Sequence, residues 1–192
     1  MKRRDAGSTG PADAKPVKRG SGSLFWRTVL VLVLAAVSAA LFVLRSYFAE
    51  DLEHQVIIYE RARRAAMWAA GRTLPGTPDL TKLGSRLSAH GVALGAPVMI
   101  RIFKREFELE LWMKRDDRFH RFSVYPICRW SGLLGPKLRE GDAQAPEGFY
   151  TIDKRSLNPE SRWHRSFNLG FPNAHDRANG RTGSFLMVHG GC

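Results

Sequence analysis

The chain has 192 residues and carries 30 Lys and Arg against 18 Asp and Glu, a formal net charge of +12. That length holds one globular domain of ordinary size with accessory segments. The basic residues form no helix stripe and no aromatic-interleaved ribbon of the kind nucleic-acid modules use, so the charge points to an anionic lipid surface, an anionic wall polymer or plain solvation, and not to nucleic acid.

Residues 1–23 are rich in Gly, Ser, Pro, Lys and Arg and nearly devoid of large apolar side chains. Such a segment cannot bury enough surface to offset its ordering, and a disordered basic tail is expected. Residues 24–44 then read LFWRTVLVLVLAAVSAALFVL, with no charge from Thr28 to Leu44. At about 1.5 Å per residue this stretch reaches roughly 30 Å, the thickness of a bilayer core, and predicts a transmembrane helix. Trp26 and Tyr47 would sit at headgroup depth at its two ends. A cleavable signal peptide competes through the small residues Ser38, Ala39 and Ala40, but the apolar run continues to Leu44 and the segment before it is long. Lys2, Arg3, Arg4, Lys15, Lys18, Arg19 and Arg27 precede the helix against only Asp5 and Asp13. The positive-inside rule therefore places the N-terminus in the cytoplasm and the remainder outside, as a single-pass protein of a bacterial inner membrane with its later part periplasmic.

Residues 45–96 are expected to form a helical stalk and linker. Leu52, Val56, Tyr59 and Arg63 recur at threes and fours up to Gly71. Thr77, Pro78 and Asp79 then announce a short helix whose Leu80, Leu83 and Leu87 would be core, closed by Gly91.

From Pro97 the period changes to two. Val98, Ile100 and Ile102 alternate with Met99 and Arg101; after a turn at Lys104 and Arg105, Phe107, Leu109, Leu111 and Met113 alternate with Glu106, Glu108 and Glu110. This predicts an antiparallel hairpin with one buried face, followed by a third strand over residues 119–127. The three glutamates can be considered as a paired-carboxylate site, but a solvated charge row on the wet face is the favoured reading. Residues 128–148 are loop-like, with Trp130, Leu133, Leu134 and Leu138 arguing for a packed loop. Short strands are expected over 148–152, 166–169 and 184–189, between Asn-Pro, Pro-Asn and Asn-Gly turn signals.

His189 is the sharpest chemical candidate, because a histidine at the end of an apolar strand followed by Gly190 and Gly191 has room beside it for a substrate backbone or a second catalytic group. A structural histidine is the bland alternative. Cys192 has three open readings: nucleophile with His189 as base, disulfide partner of Cys128, or inert thiol. His164, His175 and His189 show no tight ligand spacing, so no metal is expected.

The stretch from Ile100 to Cys192 resembles the L,D-transpeptidase catalytic domain, in the branch of murein-processing enzymes and lipoprotein-releasing amidases. The resemblance rests on IRIFKREFELELW at 100–112, YPICRWSGLLGPKLREGDAQAPEGFY at 125–150, SFNLGFPNAHDRANGRTG at 166–183 and MVHGGC at 187–192. It implies a mainly β domain of sandwich or barrel type with short helices over 97–192, and no cofactor. It also implies that His189 is the proton donor and acceptor. The family's nucleophilic cysteine lies in a Ser-x-Gly-Cys element further on, so it is expected beyond residue 192, with Cys192 matching the earlier cysteine of an H-G-x-C segment. The chain is accordingly expected to be C-terminally incomplete, and inactive as it stands. The implied chemistry is attack of a thiolate on the diaminopimelate carbonyl of a peptidoglycan stem, then transfer to an amine or to water, possible partners including a murein-bound lipoprotein. Arg129, Lys137, Arg139 and Arg181 are candidates for the substrate carboxylates, Tyr125, Trp130 and Phe149 for lining a groove, and Gly190 for close backbone approach. A surface charge or an internal ion pair is the alternative for each arginine. A wall-binding module without catalysis is the competing function.

Overall fold

The computed structural model describes residues 22–192, with side chains from Leu24 onward. Apart from its last two residues, the expected basic tail lies outside the described residues. The chain divides into two units, Met1–Glu50 and Asp51–Cys192.

The first element, α1 (Gly22–Ala69), begins in the first unit and ends in the second. Its early part holds the apolar stretch and is long and apolar enough to cross a membrane, consistent with a single-pass anchor. Two of its hydroxyls bond back within the helix: Thr28 Oγ1 donates to the Leu24 carbonyl at 3.0 Å and Ser46 Oγ to that of Phe42 at 2.9 Å. Side chains so bonded bring no unpaired donor into hydrocarbon.

In the second unit, the helical stretch expected as a stalk contributes to the core. Ile57 is 2% exposed and packs with Phe107 and Trp130, ringed by Ile127, Leu133 and Leu134. Arg61 Nη2 donates to the Gly132 carbonyl at 2.5 Å, and Arg64 Nη1 to that of Ile127 at 3.2 Å. Their guanidinium groups lie 4.8 Å from the Trp130 ring centroid and 5.0 Å from that of Phe107. The division by packing falls between Glu50 and Asp51.

The next helix departs from expectation in its packing. Asp79 caps a 3-10 turn, Leu80–Lys82, by accepting from the Thr81 N–H, and α2 (Leu83–Ala89) follows. Leu80 and Leu83 are 62% and 41% exposed, so these leucines are not core.

Strands β1 (Val98–Phe103), β2 (Glu108–Arg115) and β3 (Arg118–Pro126) form an antiparallel sheet in the order β1-β2-β3, as the alternation predicts. Arg115 pairs with Arg118, so Asp116 and Asp117 form a two-residue turn, and both take positive φ, the geometry that suits a hairpin. Two details differ from a simple alternation. Phe107 precedes β2 with φ 55° and is turned into the α1 cluster. The register also shifts between Leu111 and Trp112. Glu110 is buried rather than part of a wet charge row. It accepts from Trp112 Nε1 at 2.9 Å and pairs with Arg121 at 3.1 Å and Arg101 at 3.2 Å. The Trp112 bond, with help from both arginines, holds its carboxyl below the usual range against the cost of desolvation.

The expected strand over 148–152 is absent. A second antiparallel sheet instead joins β4 (Leu157–Asn158), β5 (Ser166–Asn168) and β6 (Met187–His189) in that order, with α3 (Ala174–Ala178) between β5 and β6. The described residues thus form a long helix, short helices and two three-stranded sheets.

Candidate active site around His189

The second sheet places His189. Ser166 stands opposite it across the β5–β6 ladder, Phe167 opposite Val188 and Asn168 opposite Met187, while Asn158 of β4 pairs with Ser166. Ser166 is buried and His189 is exposed at the strand end. The imidazole Nδ1 lies 3.0 Å from the Gly190 carbonyl oxygen. A carbonyl only accepts, so Nδ1 carries the proton in the neutral ring and Nε2 keeps a lone pair for proton transfer.

Gly190 is required by close approach. A Cβ there would stand 2.9 Å from the His164 carbonyl oxygen and 3.1 Å from its Cδ2, while the Gly190 N–H donates to the Arg165 carbonyl at 3.4 Å. The segment between β4 and β5 therefore lies against the turn that follows His189.

Two cavities meet at the histidine. One, about 480 Å³, is lined by Leu157, Phe167 and Val188 together with His164 and Arg165. The other, about 420 Å³, is lined by Glu160, Ser161, Arg162, Trp163 and Met187. Both include Asn158, Ser166 and His189, so one side is mainly apolar and the other carries charge of both signs.

The chain's two cysteines are joined as a Cys128–Cys192 disulfide, with Cα atoms 5.6 Å apart. The separation is ordinary for a disulfide. Of the three readings of Cys192 the structure takes the pairing, and a disulfide sulfur is not a thiolate, so Cys192 in this form cannot be the nucleophile. The bond fastens the end of β6 to the start of the 128–148 loop. That loop is packed as expected. Lys104 Nζ donates to the carbonyls of Gly135 at 2.8 Å and Ala145 at 2.7 Å and pairs with Glu147 at 2.9 Å, with burial pulling its pKa down. Gln144 bonds both the N–H and the carbonyl of Leu133.

The other candidates separate from His189. Among the residues proposed for substrate, Gly190 lines the first cavity, whereas Arg181, Tyr125 and Arg129 line neither. Arg181 Nη1 donates to Asp176 Oδ1 at 2.8 Å. Asp176 is 1% exposed and also accepts from Tyr150 Oη at 3.0 Å and the Asn173 N–H at 3.1 Å. Burial alone would raise its carboxyl, but the Arg181, Asn173 and Tyr150 donors outweigh that and hold it low. Lys137 is buried on Asp142 and the Arg139 carbonyl, and Trp130 belongs to the core, while Phe149 is 98% exposed. Trp163, Asn158 and Ser166 were not singled out from sequence. The only local signal was an aromatic residue beside His164 in a basic loop. Among the described residues no group of three His, Cys, Asp or Glu side chains is placed to hold a metal.

No protein-family model matches the chain. Two curated proteins do, both carrying the name "Putative L,D-transpeptidase YafK", from Escherichia coli K12 and from Escherichia coli O157:H7. Each is 42% identical over 137 residues, 68% of this chain and 56% of the relative. The chain spans about half the length of the curated relatives it matches. The strand histidine, the glycine turn behind it and this identity agree with the resemblance read from the motifs, and the chain belongs to the L,D-transpeptidase family.

Proposed function

We propose that the protein is a membrane-anchored enzyme of peptidoglycan processing, held by residues 24–44 in a bacterial inner membrane with the N-terminus cytoplasmic and the second unit periplasmic. Its substrates are diaminopimelate-containing stem peptides, and a murein-bound lipoprotein is a further candidate. The domain is read as the β-rich L,D-transpeptidase type. What carries the reading is His189, with Nδ1 bonded to the Gly190 carbonyl and the residue lining both cavities.

In the proposed reaction, His189 Nε2 takes the proton of a cysteine thiol, and the thiolate adds to the diaminopimelate carbonyl. The tetrahedral species collapses as the C–N bond breaks, and the imidazolium returns its proton to the leaving amine. An incoming amine then displaces the thiol to form a cross-link, or water does so to give hydrolysis. Both cysteines of the 192 residues are in the disulfide. The thiol is therefore assigned to the Ser-x-Gly-Cys element that the family resemblance puts after the strand histidine.

The same disulfide favours a second reading for the 192-residue chain alone, a module that binds wall peptide without turnover. Muropeptides titrated into the isotopically labelled chain test both. The expected result is that resonances of His189, Asn158 and Ser166 move saturably while mass spectrometry shows no product. A chain extended by a Ser-x-Gly-Cys element after the strand histidine should form an acyl-enzyme, visible as added mass on its cysteine. Absence of any muropeptide-dependent change in either protein would end both readings.

A further inference from the structure

We propose that Trp163 is a positioning residue for His189. Its indole lies against the imidazole and holds the ring with Nδ1 on the Gly190 carbonyl, beside the two cavities that His189 lines. The inference rests on the reading of His189 as the proton carrier.

The two ring centroids are 5.6 Å apart with planes inclined by 33°. This is a tilted arrangement at a separation within the range in which aromatic rings attract. Trp163 is 48% exposed, so core packing does not account for its place. Besides the imidazole, its ring is approached by the Arg162 guanidinium, 5.3 Å from the centroid.

The chain around Trp163 is built to keep it there. Residues 159–165 form a loop closed at its base by the Asn158–Ser166 pair. Directly after the tryptophan, His164 and Arg165 both take left-handed backbone conformations, with φ 57° and 63°. Two successive non-glycine residues in that region are unusual and need compensation from their surroundings. Here the compensation is the contact with Gly190, through the Arg165 carbonyl and the close His164 backbone. The reversal thereby ties the turn behind His189 to the residue beside its ring.

The consequence for proton transfer is orientational. The Nδ1 bond reaches only to the next residue's carbonyl and leaves the exposed ring free to swing about its side-chain torsions. A second contact, on the ring face, removes that freedom. An indole face also suits the imidazolium produced when His189 takes a proton.

Three variants of the 192-residue chain, Trp163→Phe, Trp163→Leu and Trp163→Ala, test this with two readouts that need no substrate. Proton resonances of the His189 ring report the ring current of a stacked neighbour, and peptide-resolved carbethoxylation reports access to the imidazole. W163F should keep both readouts close to those of the parent. W163L, which preserves apolar bulk without a ring, and W163A should shift the His189 ring resonances and speed His189 labelling several-fold, with His175 labelling unchanged. The proposal is overturned if W163L or W163A leaves the His189 resonances and labelling at parental values, or if W163F changes them as much as W163L does. Since muropeptides enter neither readout, loss of the functional reading would show as absent binding with the stacking signature intact.

Discussion

Arg181 is bonded through Nη1 to the nearly inaccessible carboxylate of Asp176, and the pair closes the end of α3 onto Tyr150. An arginine that looks in sequence like a carboxylate receptor is committed to an internal one. Arg181→Met should therefore lower unfolding free energy by about 3 kcal/mol, the cost of leaving a buried charge without its partner. Muropeptide affinity should be unchanged in the folded fraction. Urea denaturation and a binding titration on the same sample separate the two effects, and a large loss of affinity at normal stability would restore Arg181 to the binding site.

Gly190→Ala should act on the site and on stability together. The added Cβ meets backbone oxygen rather than the end of a flexible side chain, so the 164–165 reversal has to move. A loss of about 1–3 kcal/mol is expected, typical of overpacking. It should be accompanied by shifted amide resonances at Arg165 and His189. Gly180→Ala, where φ is 66° but no neighbour lies within 4 Å, serves as the comparison for backbone strain alone.

The disulfide closes 64 residues of chain. Loop-closure entropy puts its removal at up to about 4 kcal/mol. A paired Cys128→Ser, Cys192→Ser protein should melt well below the oxidised parent, and the parent should show no titratable thiol until reduced and two afterward. A thiol titrating before reduction would contradict the pairing.

Acid should destabilise the second unit through groups remote from His189. The Arg63 bond, supported by Arg64, lowers the Glu60 carboxyl to about 2 against the desolvation that opposes it. Asp176 is lowered as well. A carboxyl depressed in the folded state contributes its full stabilisation above its unfolded pKa, near 4, and loses it as pH falls through the folded value. Melting temperature should accordingly be flat above about pH 5 on this account and fall toward pH 2. The fall should be shallower in Glu60→Gln. An equal slope in that variant would remove Glu60 from the explanation.

Much of the fold was legible because periodicity is local. Three strands were announced from Val98 to residue 127, and all three formed, since alternation needs no knowledge of the rest of the chain. What sequence misplaced depends on partners far along it. Leu80 and Leu83 have a helical spacing but no facing surface, whereas Ile57 gains one from Phe107 and Trp130. Glu110 reads as wet until Trp112 and two arginines close over it. At the site, His189 and Gly190 stood out through a strand ending in glycines. Trp163 did not, because it reaches the histidine only through the Asn158–Ser166 pairing, which no short-range pattern announces.

The position of Ile57 fixes where this protein can be cut. A protease or a cloning boundary placed in the low-seventies turn, or at the period change near Pro97, would carry away Ile57, the buried aliphatic side chain packed with Phe107 and Trp130, together with the Arg61 and Arg64 clasps on Gly132 and Ile127. The remainder would show two bare aromatic rings to water and tend to self-associate. A form without the apolar stretch has to be severed upstream, between that stretch and Asp51, so that the last five turns of α1 travel with the Phe107 and Trp130 cluster they complete.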